Sequence, residues 1–193
     1  MIAHIHGKLV EKNPTDVVID CQGVGYHIHI SLHTYALLPQ SESVKLFTYL
    51  LIKEDAHQLY GFMEKSEREL FKLLLSVSGI GAGIARTMLS SLDPKQIIAA
   101  IGNGDVGTIQ SIKGIGAKTA QRVILDLRDK VLKIHDIGEV SPISYNTNRD
   151  EALSALEVLG FVRKNAEKVV DKIMKEQPEA NLETIIKQAL KNL

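Results

Sequence analysis

The sequence contains very little cysteine, and this scarcity limits the chemistry open to it. Cys21 is the single thiol among 193 residues, so the chain cannot form an intrachain disulfide. It follows the apolar run Val17-Val18-Ile19, and this setting favours a small buried hydrophobe over a reactive thiol.

Long hydrophobic runs are also missing. No segment approaches the roughly 18 consecutive apolar residues that span a bilayer. The first residues, Met1 to Gly7, lack the basic end and the long apolar region of a signal peptide. We therefore expect a cytoplasmic protein, with enough residues for one large domain or two to three small ones.

A net charge is absent, which at first argues against a nucleic-acid partner. The 23 Lys and Arg residues balance 23 Asp and Glu residues, but the two signs are unevenly distributed. Residues 1–63 and 134–193 each carry a net charge of −2, whereas residues 64–133 carry +4. The middle of the chain is therefore the part suited to an anionic partner.

This basic segment contains a repeat. Gly79-Ile80-Gly81 and Gly114-Ile115-Gly116 lie 35 residues apart, and a helical pattern follows each of them. A glycine turn that leads into a helix presents free N–H groups, which attract anions such as phosphate. No strand pattern precedes the glycines and no Gly-Lys-Ser/Thr ending follows them, which argues against a dinucleotide fingerprint and a P-loop.

We predict that the repeat forms two helix-hairpin-helix elements, which hold nucleic-acid backbone without reading bases. Helix connections that merely use glycine as a C-cap are the alternative. Lys118 and Arg122 share one helix face near the second turn. We identify no catalytic constellation and assign no catalytic residue, metal ligand or cofactor. The candidate DNA-binding residues are Gly79, Ile80, Gly81, Gly83, Arg86, Gly114, Ile115, Gly116, Lys118, Thr119 and Arg122.

The first 63 residues alternate like β-strands. Five or so short strands around one irregular segment predict a small closed barrel, for which the OB-fold is the natural candidate. Gly23-Val24-Gly25 predicts a bend or bulge, and Glu54 and Asp55 lie in a turn between the last two strands, where acids are usually only solvated. The predicted strands cover Met1–Leu9, Val17–Cys21, Tyr26–Ile30, Val44–Ile52 and Gln58–Phe62.

Two His-x-His pairs occur in this region, His4 with His6 and His27 with His29. Each pair places two imidazoles on one strand face, where they could coordinate a metal. Because carboxylate or cysteine companions are missing at ligand spacing, we favour solvated or interface histidines.

At Ser66 the apolar period changes from that of strands to that of helices. Ser66-Glu67-Arg68-Glu69 predicts a capping box, Asp93-Pro94 predicts an N-cap and a first-turn proline, and the second hairpin leads into a helix over Ala117–Leu132. Residues 64–133 are thus predicted to form a compact all-α domain. Its predicted core includes Leu70, Phe71, Leu74, Val77, Ala120, Val123, Ile124, Leu127 and Val131.

Residues 134–149 are rich in turn formers and lack a period, so they predict a flexible linker. Beyond the linker, Asp150 and Asn181 predict helix N-caps and Gly160 predicts a helix end. Residues 150–193 should therefore form three short helices, a domain whose small size favours a docking role. The predicted fold class is multidomain β + α.

This order of domains closely resembles the RuvA family, whose members bind four-way (Holliday) DNA junctions and recruit the RuvB motor ATPase for branch migration. The resemblance covers essentially the whole chain. It is carried by both Gly-Ile-Gly hairpins and by Met1-Ile2 with Gly7, Gly23-Val24-Gly25-Tyr26, Glu54-Asp55-Ala56 with Leu59-Tyr60-Gly61-Phe62, and Ala155-Leu156 with Leu159-Gly160-Phe161.

The resemblance implies a homotetramer that holds an open junction on one face, sometimes with a second tetramer on the other, and the RuvC resolvase in the same complex. It implies that Glu54 and Asp55 form an acidic pin that repels phosphates and helps to separate strands. The last domain, similar to ubiquitin-associated bundles, would dock RuvB through Leu159, Gly160 and Phe161. Hydrolysis would belong to RuvB, so we expect a non-catalytic subunit.

The chain departs from the family pattern at both hairpins. Ala82-Gly83 and Ala117 occupy positions where the family often has lysine. We therefore expect a grip that depends mainly on backbone amides, with fewer side-chain contacts to phosphate than the family pattern would supply.

Two rival functions stay open from the sequence. Asp136 follows the second hairpin at a distance that could suit the catalytic acid of a helix-hairpin-helix DNA glycosylase, although no base-flipping pocket is evident. Alternatively, the hairpins could bind only protein, which would make the chain an adaptor.

Overall fold

The computed structural model describes residues 1–138, 147–177 and 179–193. The chain divides into two compact units, Met1–Val140 and Ser141–Leu193. Within the described ranges, no helix combines the length and the apolar character needed to cross a membrane.

The first unit begins with a closed barrel, which confirms the predicted OB-fold-like architecture. Its strands follow one another around the barrel in the order β1-β2-β3-β5-β4, and β3 and β5 pair in parallel while the other neighbours are antiparallel. The strands are β1 (His4–Lys12), β2 (Asp16–Cys21), β3 (Val24–Ile30), β4 (Ser43–Ile52) and β5 (His57–Phe62).

The turn between β2 and β3 includes Gly23 but not Val24 and Gly25, so of the predicted bend or bulge only the bend at Gly23 is present. Cys21 pairs directly with Val24, and the two residues between them, Gln22 and Gly23, have φ angles of 56° and 92°. Such a two-residue turn with positive φ matches the right-handed twist of the strands it joins. Val24 and Gly25 therefore pair within β3, and the bulge prediction is wrong.

A short helix, α1 (Leu32–Leu37), occupies the irregular segment between β3 and β4. Its N-cap is Ser31, whose Oγ accepts a hydrogen bond from the Thr34 N–H at 2.9 Å. The barrel encloses a core of Ile5, Val17, Ile19, Ile28, Ile30, Leu38, Val44 and Leu46.

The helical part of the first unit follows the barrel. Asp93 caps its third helix through Oδ1, which accepts from the Gln96 N–H at 2.8 Å, and this confirms the predicted N-cap. The last helix continues to Gly138 rather than ending near Leu132. The helices are α2 (Lys65–Leu75), α3 (Ala82–Ser91), α4 (Pro94–Asn103), α5 (Val106–Gln110) and α6 (Ala117–Gly138).

The capping box predicted at Ser66 is wrong, because α2 already begins at Lys65 with Glu64 as its N-cap. Glu67, the second residue of the predicted box, has its side chain directed toward the barrel. Its carboxylate is completely buried and accepts hydrogen bonds from Ser31 Oγ at 2.5 Å and Thr34 Oγ1 at 2.6 Å. The Glu67 side chain therefore links α2 to α1 and to the N-cap of α1.

Aromatic rings join the barrel to α2. The ring of Phe71 lies 5.6, 5.1 and 5.0 Å, centroid to centroid, from the rings of Tyr49, Tyr60 and Phe62. The predicted helical core is confirmed except at Ile124, which is only half-buried. The barrel and the hairpins are thus parts of one packed unit.

The second unit contains α7 (Thr147–Val158), α8 (Arg163–Glu176) and α9 (Leu182–Asn192), which confirms the three-helix bundle. Asn181 caps α9 through its side chain, which accepts from the Thr184 N–H at 2.9 Å. The predicted cap at Asp150 is wrong, because α7 begins before it.

The predicted linker lies largely outside the described residues. Of residues 134–149, the stretch 134–138 belongs to α6 and 147–149 to α7, while 139–146 are not described. Asp136 falls within α6, and its side chain is outside the described part of the chain.

Candidate nucleic-acid interface

The two glycine turns have the same local geometry. Gly79 and Gly114 have φ angles of 96° and 93°, a region that residues with a side chain rarely adopt. In each turn the isoleucine N–H then donates to a carbonyl three residues earlier, Ile80 to Val77 at 3.0 Å and Ile115 to Ile112 at 3.1 Å. Both isoleucines are buried, so each side chain anchors its turn in the hydrophobic core.

A helix begins directly after each turn. The Gly81 carbonyl accepts from the Ala85 N–H at 2.9 Å, and the Gly116 carbonyl accepts from Ala120 at the same distance. Gly81, the N-cap of α3, has no side chain to satisfy the first N–H groups of the helix. Unsatisfied amides of this kind, together with the positive end of the helix dipole, are suited to bind an anion.

At three further positions of the hairpins, the fold itself does not require glycine. A Cβ atom built at Gly81, Gly83 or Gly116 would meet nothing within 4 Å, and none of the three has a positive φ. The fold would therefore accept a side chain at each position. The absence of side chains leaves room for another molecule to approach the backbone closely.

The two hairpins lie beside each other. A Cβ atom at Gly79 would be 3.9 Å from both Cγ2 and Oγ1 of Thr119, in the first turn of α6. The turn of the first hairpin therefore lies close to the helix start of the second. The structure brings the two predicted glycine sites together on one part of the unit.

The predicted cationic side chains differ in their surroundings. Lys118 and Arg122 are exposed on α6, and neither forms an ion pair within the described residues. Arg86 is half-buried on α3, and its Nη1 donates to the carbonyl oxygen of Thr15 at 3.2 Å. Arg86 thus ties the first hairpin to the barrel, a role that sequence reasoning missed.

The acidic turn lies at the tip of the β4–β5 hairpin, as predicted. Ile52 pairs with His57, and the Lys53 N–H donates to the Ala56 carbonyl at 2.9 Å, which closes the turn. Glu54 and Asp55 occupy the two central positions and are exposed. Two carboxylates are therefore presented to solvent on a short hydrogen-bonded hairpin.

Three histidines of the two His-x-His pairs lie next to other side chains of the barrel. His6 Nε2 lies 3.1 Å from Ser43 Oγ, and His27 Nε2 lies 3.5 Å from Asp16 Oδ2. His29 packs against the Tyr60 ring at 5.4 Å between centroids. Burial lowers the pKa of His29, and the positive charges of Arg86 and His27 lower it further.

The predicted docking turn of the second unit is exposed and well defined. Gly160 has a φ of 96° and ends α7, and the Phe161 N–H donates back to the Leu156 carbonyl at 3.0 Å. Leu159 is 56% exposed, whereas Phe161 packs partly into the bundle core.

The structure adds two residues, Val158 and Val162, to the apolar surface around Leu159. We call Val158, Leu159 and Val162 the bundle turn patch. Val158 and Val162 are 88% and 67% exposed on either side of the turn. The apolar pattern around the end of α7 and the start of α8 did not distinguish these exposed valines from core residues.

A shallow depression was also missed by sequence reasoning. It has a volume of about 330 Å³ and lies between α5 and α6. Leu125, on its rim, is 83% exposed. The lining residues are Val106, Gln121, Ile124, Leu125, Arg128 and Asp129.

A small barrel, two adjoining glycine hairpins and a separate three-helix bundle define a modular protein of the helix-hairpin-helix class. Family models match along the chain: "RuvA N terminal domain" at residues 1–61, "SAM-like Helix-hairpin-helix tandem" at 71–129, and "RuvA, C-terminal domain" at 147–193. The chain belongs to the RuvA family.

Curated relatives agree with the family models over the full length. The chain is 75% identical to a protein of Flavobacterium psychrophilum and 63% identical to one of Christiangramia forsetii, in both cases across 100% of each chain. It is 52% identical to a protein of Cytophaga hutchinsonii across 99% of each. All three carry the name "Holliday junction branch migration complex subunit RuvA".

Proposed function

We propose that this chain is the junction-binding subunit of a branch migration complex, which binds four-way (Holliday) DNA junctions by their shape and backbone rather than by sequence. The names of its full-length relatives support this function. The observation in the chain itself that carries it is the pair of adjoining glycine hairpins, with open backbone at Gly81, Gly83 and Gly116.

Each hairpin would bind DNA phosphates mainly through backbone N–H groups. The open glycines let a phosphate reach the amides at the start of α3 and α6, and the helix dipole favours its charge. Lys118 and Arg122 supply charge at the second hairpin, with Thr119 as a hydroxyl partner. Such contacts position the duplex arms and carry no information about base sequence.

The acidic turn would act against phosphates instead of binding them. Glu54 and Asp55 are exposed and project from the barrel, so a phosphate near them meets two negative charges. In a tetramer, four such turns would surround the crossover and keep the DNA backbone from settling there. The turns would then help to separate strands as the junction migrates, as an acidic pin.

The assembly we propose is a homotetramer, with a second tetramer able to cover the other face of the junction. The bundle turn patch would dock the RuvB motor, because an exposed apolar surface on a small domain fits a protein partner. ATP hydrolysis would reside in that motor, so this subunit is non-catalytic, and the RuvC resolvase would join the same cytoplasmic complex.

Binding of the full chain to a four-way junction and to a linear duplex of equal length, across a salt series, tests this function. We expect tighter binding to the junction, and a log–log salt slope of about −0.9 for each phosphate neutralised. Equal affinity for both DNAs would contradict junction recognition. The solution mass of the protein, with and without junction DNA, tests whether it is a tetramer. Undetectable DNA binding together with intact motor binding would favour the adaptor function instead.

A further inference from the structure

Ile52 is an apolar residue at an unusual place. It is the last residue of β4, pairs with His57, and directly precedes the acidic turn, yet it is 65% exposed. The hairpin extends past its neighbours here, because β1 pairs with β4 as far as Phe47 and β3 pairs with β5 from Leu59 onward.

Strand geometry connects Ile52 with the barrel interior. Side chains of alternate residues share a face, and Val44, Leu46 and Thr48 on this face of β4 are 2%, 0% and 2% exposed. Ile52 continues this inward face beyond the end of the barrel, where nothing in the described chain covers most of it. The core stripe of β4 thus emerges into solvent beside the acidic turn.

The charges around Ile52 restrict what can contact it. The two acids of the turn, Glu54 and Asp55, outnumber Lys53, the exposed cation next to Ile52, so the hairpin tip disfavours a phosphate group and favours DNA that presents its bases. Apolar side chains, isoleucine among them, insert between base steps in other DNA-binding proteins and unstack them. The imidazole of His57, on the paired strand position, offers a ring on which a base can stack.

Given the junction binding proposed above, we propose that Ile52, supported by His57, contacts bases unstacked at the crossover while the acidic turn keeps phosphates away. Ile52 lies on the same hairpin as the acidic pin, so the pin combines an apolar side chain with its two carboxylates. Repulsion alone would move the backbone without stabilising an open base pair. Ile52 supplies that stabilisation and makes the hairpin specific for the point where strands exchange.

The test uses the full-length protein at saturating concentration on a four-way junction that carries 2-aminopurine at the crossover. The fluorescence of this base rises when it leaves the stack, so we expect a rise with the wild-type protein. Ile52→Thr, which keeps a β-branched residue, should remove roughly half of the rise or more. Because phosphate contacts dominate affinity, junction affinity should stay within about threefold.

Two variants serve as controls. Ile52→Val keeps an apolar surface and should keep the rise. Val10→Thr makes the same kind of change at another exposed apolar residue, 50% exposed in β1 and toward the end of the barrel opposite the acidic turn, and should also keep it.

Several results would overturn the proposal. An Ile52→Thr rise equal to that of the wild type, or no rise with the wild type, would mean that Ile52 holds no unstacked base. A smaller solution mass of Ile52→Thr without DNA would mean that Ile52 contacts another copy of the chain. Failure of the proposed function itself is distinguishable, because the wild type would then bind junction and duplex equally.

Discussion

Glu67 shows how a single residue connects the barrel to the hairpins. Its buried carboxylate accepts hydrogen bonds from Ser31 and Thr34 on either side of the α1 start, while its backbone lies in α2. Such a buried carboxylate is tolerated only because hydroxyl groups satisfy both oxygens. The bridge fixes α1 against α2, and with it the barrel against the hairpin domain.

We predict that Glu67→Gln changes how stability depends on pH. Burial raises the pKa of Glu67, and Glu64 raises it further, although hydrogen bonds from Ser31 and Thr34 and the charge of His33 oppose this. The folded chain therefore holds the proton more tightly than the unfolded chain. This contribution is complete below the unfolded pKa of about 4.3 and is lost as pH rises through the folded pKa.

Urea unfolding across a pH series checks this prediction. The wild type should lose stability relative to Glu67→Gln as pH increases above the unfolded pKa of about 4.3, because glutamine does not titrate. Glu69→Gln is a control for which the pH dependence of stability should have the opposite sign. Burial raises the pKa of Glu69, but Lys72 and Arg68 outweigh burial and hold that pKa below its usual range. Parallel curves for wild type and Glu67→Gln would contradict the argument.

Gly83 is a residue where binding can be strengthened. It is the second residue of α3, and a Cβ atom there would meet nothing within 4 Å. Replacing glycine within a helix gains about 0.5–1 kcal/mol, while a positive charge near a helix N-terminus costs about 0.3–1 kcal/mol. Gly83→Lys should therefore leave stability nearly unchanged and add one phosphate contact per subunit.

The expected result for Gly83→Lys is tighter junction binding with a salt slope steeper by about 0.9 per added contact. Gly102→Lys is a matched control, because Gly102 also lies in a helix with open space around it, but in α4 rather than in a hairpin. If both variants bind the junction equally tightly, the gain reflects net charge and not the hairpin.

At the level of elements, the glycine hairpins were predictable because their requirement is local. Gly79 and Gly114 need positive φ whatever surrounds them, and the caps at Asp93 and Asn181 bond to the backbone of their own helices. Each of these signals is contained within a few residues. Sequence patterns therefore located the turns and several helix starts correctly.

The elements that were predicted wrongly depend on distant residues or on competing local geometry. The box predicted at Ser66 did not form because α2 begins at Lys65, and the buried Glu67 side chain bonds to hydroxyl groups more than 30 positions away. Asp150 lost its capping role because α7 starts at Thr147. The hydrogen bond from Arg86 to the Thr15 carbonyl and the proximity of Gly79 to Thr119 exist only in the folded unit, so no local pattern encodes them.

The acidic hairpin is an element whose two carboxylates can be neutralised together. For Glu54→Gln with Asp55→Asn we expect junction binding that is equal or tighter, because a carboxylate about 4 Å from a phosphate costs about 1 kcal/mol in water. Motor-driven branch migration should change at the same time. Junction titrations and a strand-displacement assay with the motor measure the two effects separately.

A change in total charge must be excluded as the cause. Glu11→Gln with Glu42→Gln removes two exposed carboxylates elsewhere in the barrel and serves as the control. It should raise junction affinity less than the hairpin variant does and leave migration unaltered. Loss of junction binding in the hairpin variant would show that the pair holds the fold instead of repelling phosphate.

At the scale of the whole molecule, the chain divides into two compact units, and we propose that each carries out one task. The first contains the hairpins and the acidic turn, and the second contains the bundle turn patch. The patch combines exposed apolar side chains with a rigid glycine turn, which suits a partner protein better than DNA. Changes in the patch should therefore alter motor binding without altering junction binding.

We predict this separation for the full-length double variant Val158→Ser with Val162→Ser. Val162 is the N-cap of α8 and lacks a side-chain hydrogen bond, so serine, a preferred N-cap, should not weaken the bundle. Central interface residues contribute more than about 1 kcal/mol each, so motor affinity should fall roughly 10-fold or more. Val10→Ser, at a valine 50% exposed in the barrel, is the matched control. Junction affinity should match the wild type in both variants, and a parallel loss of junction and motor binding would mean that the two tasks are not separate.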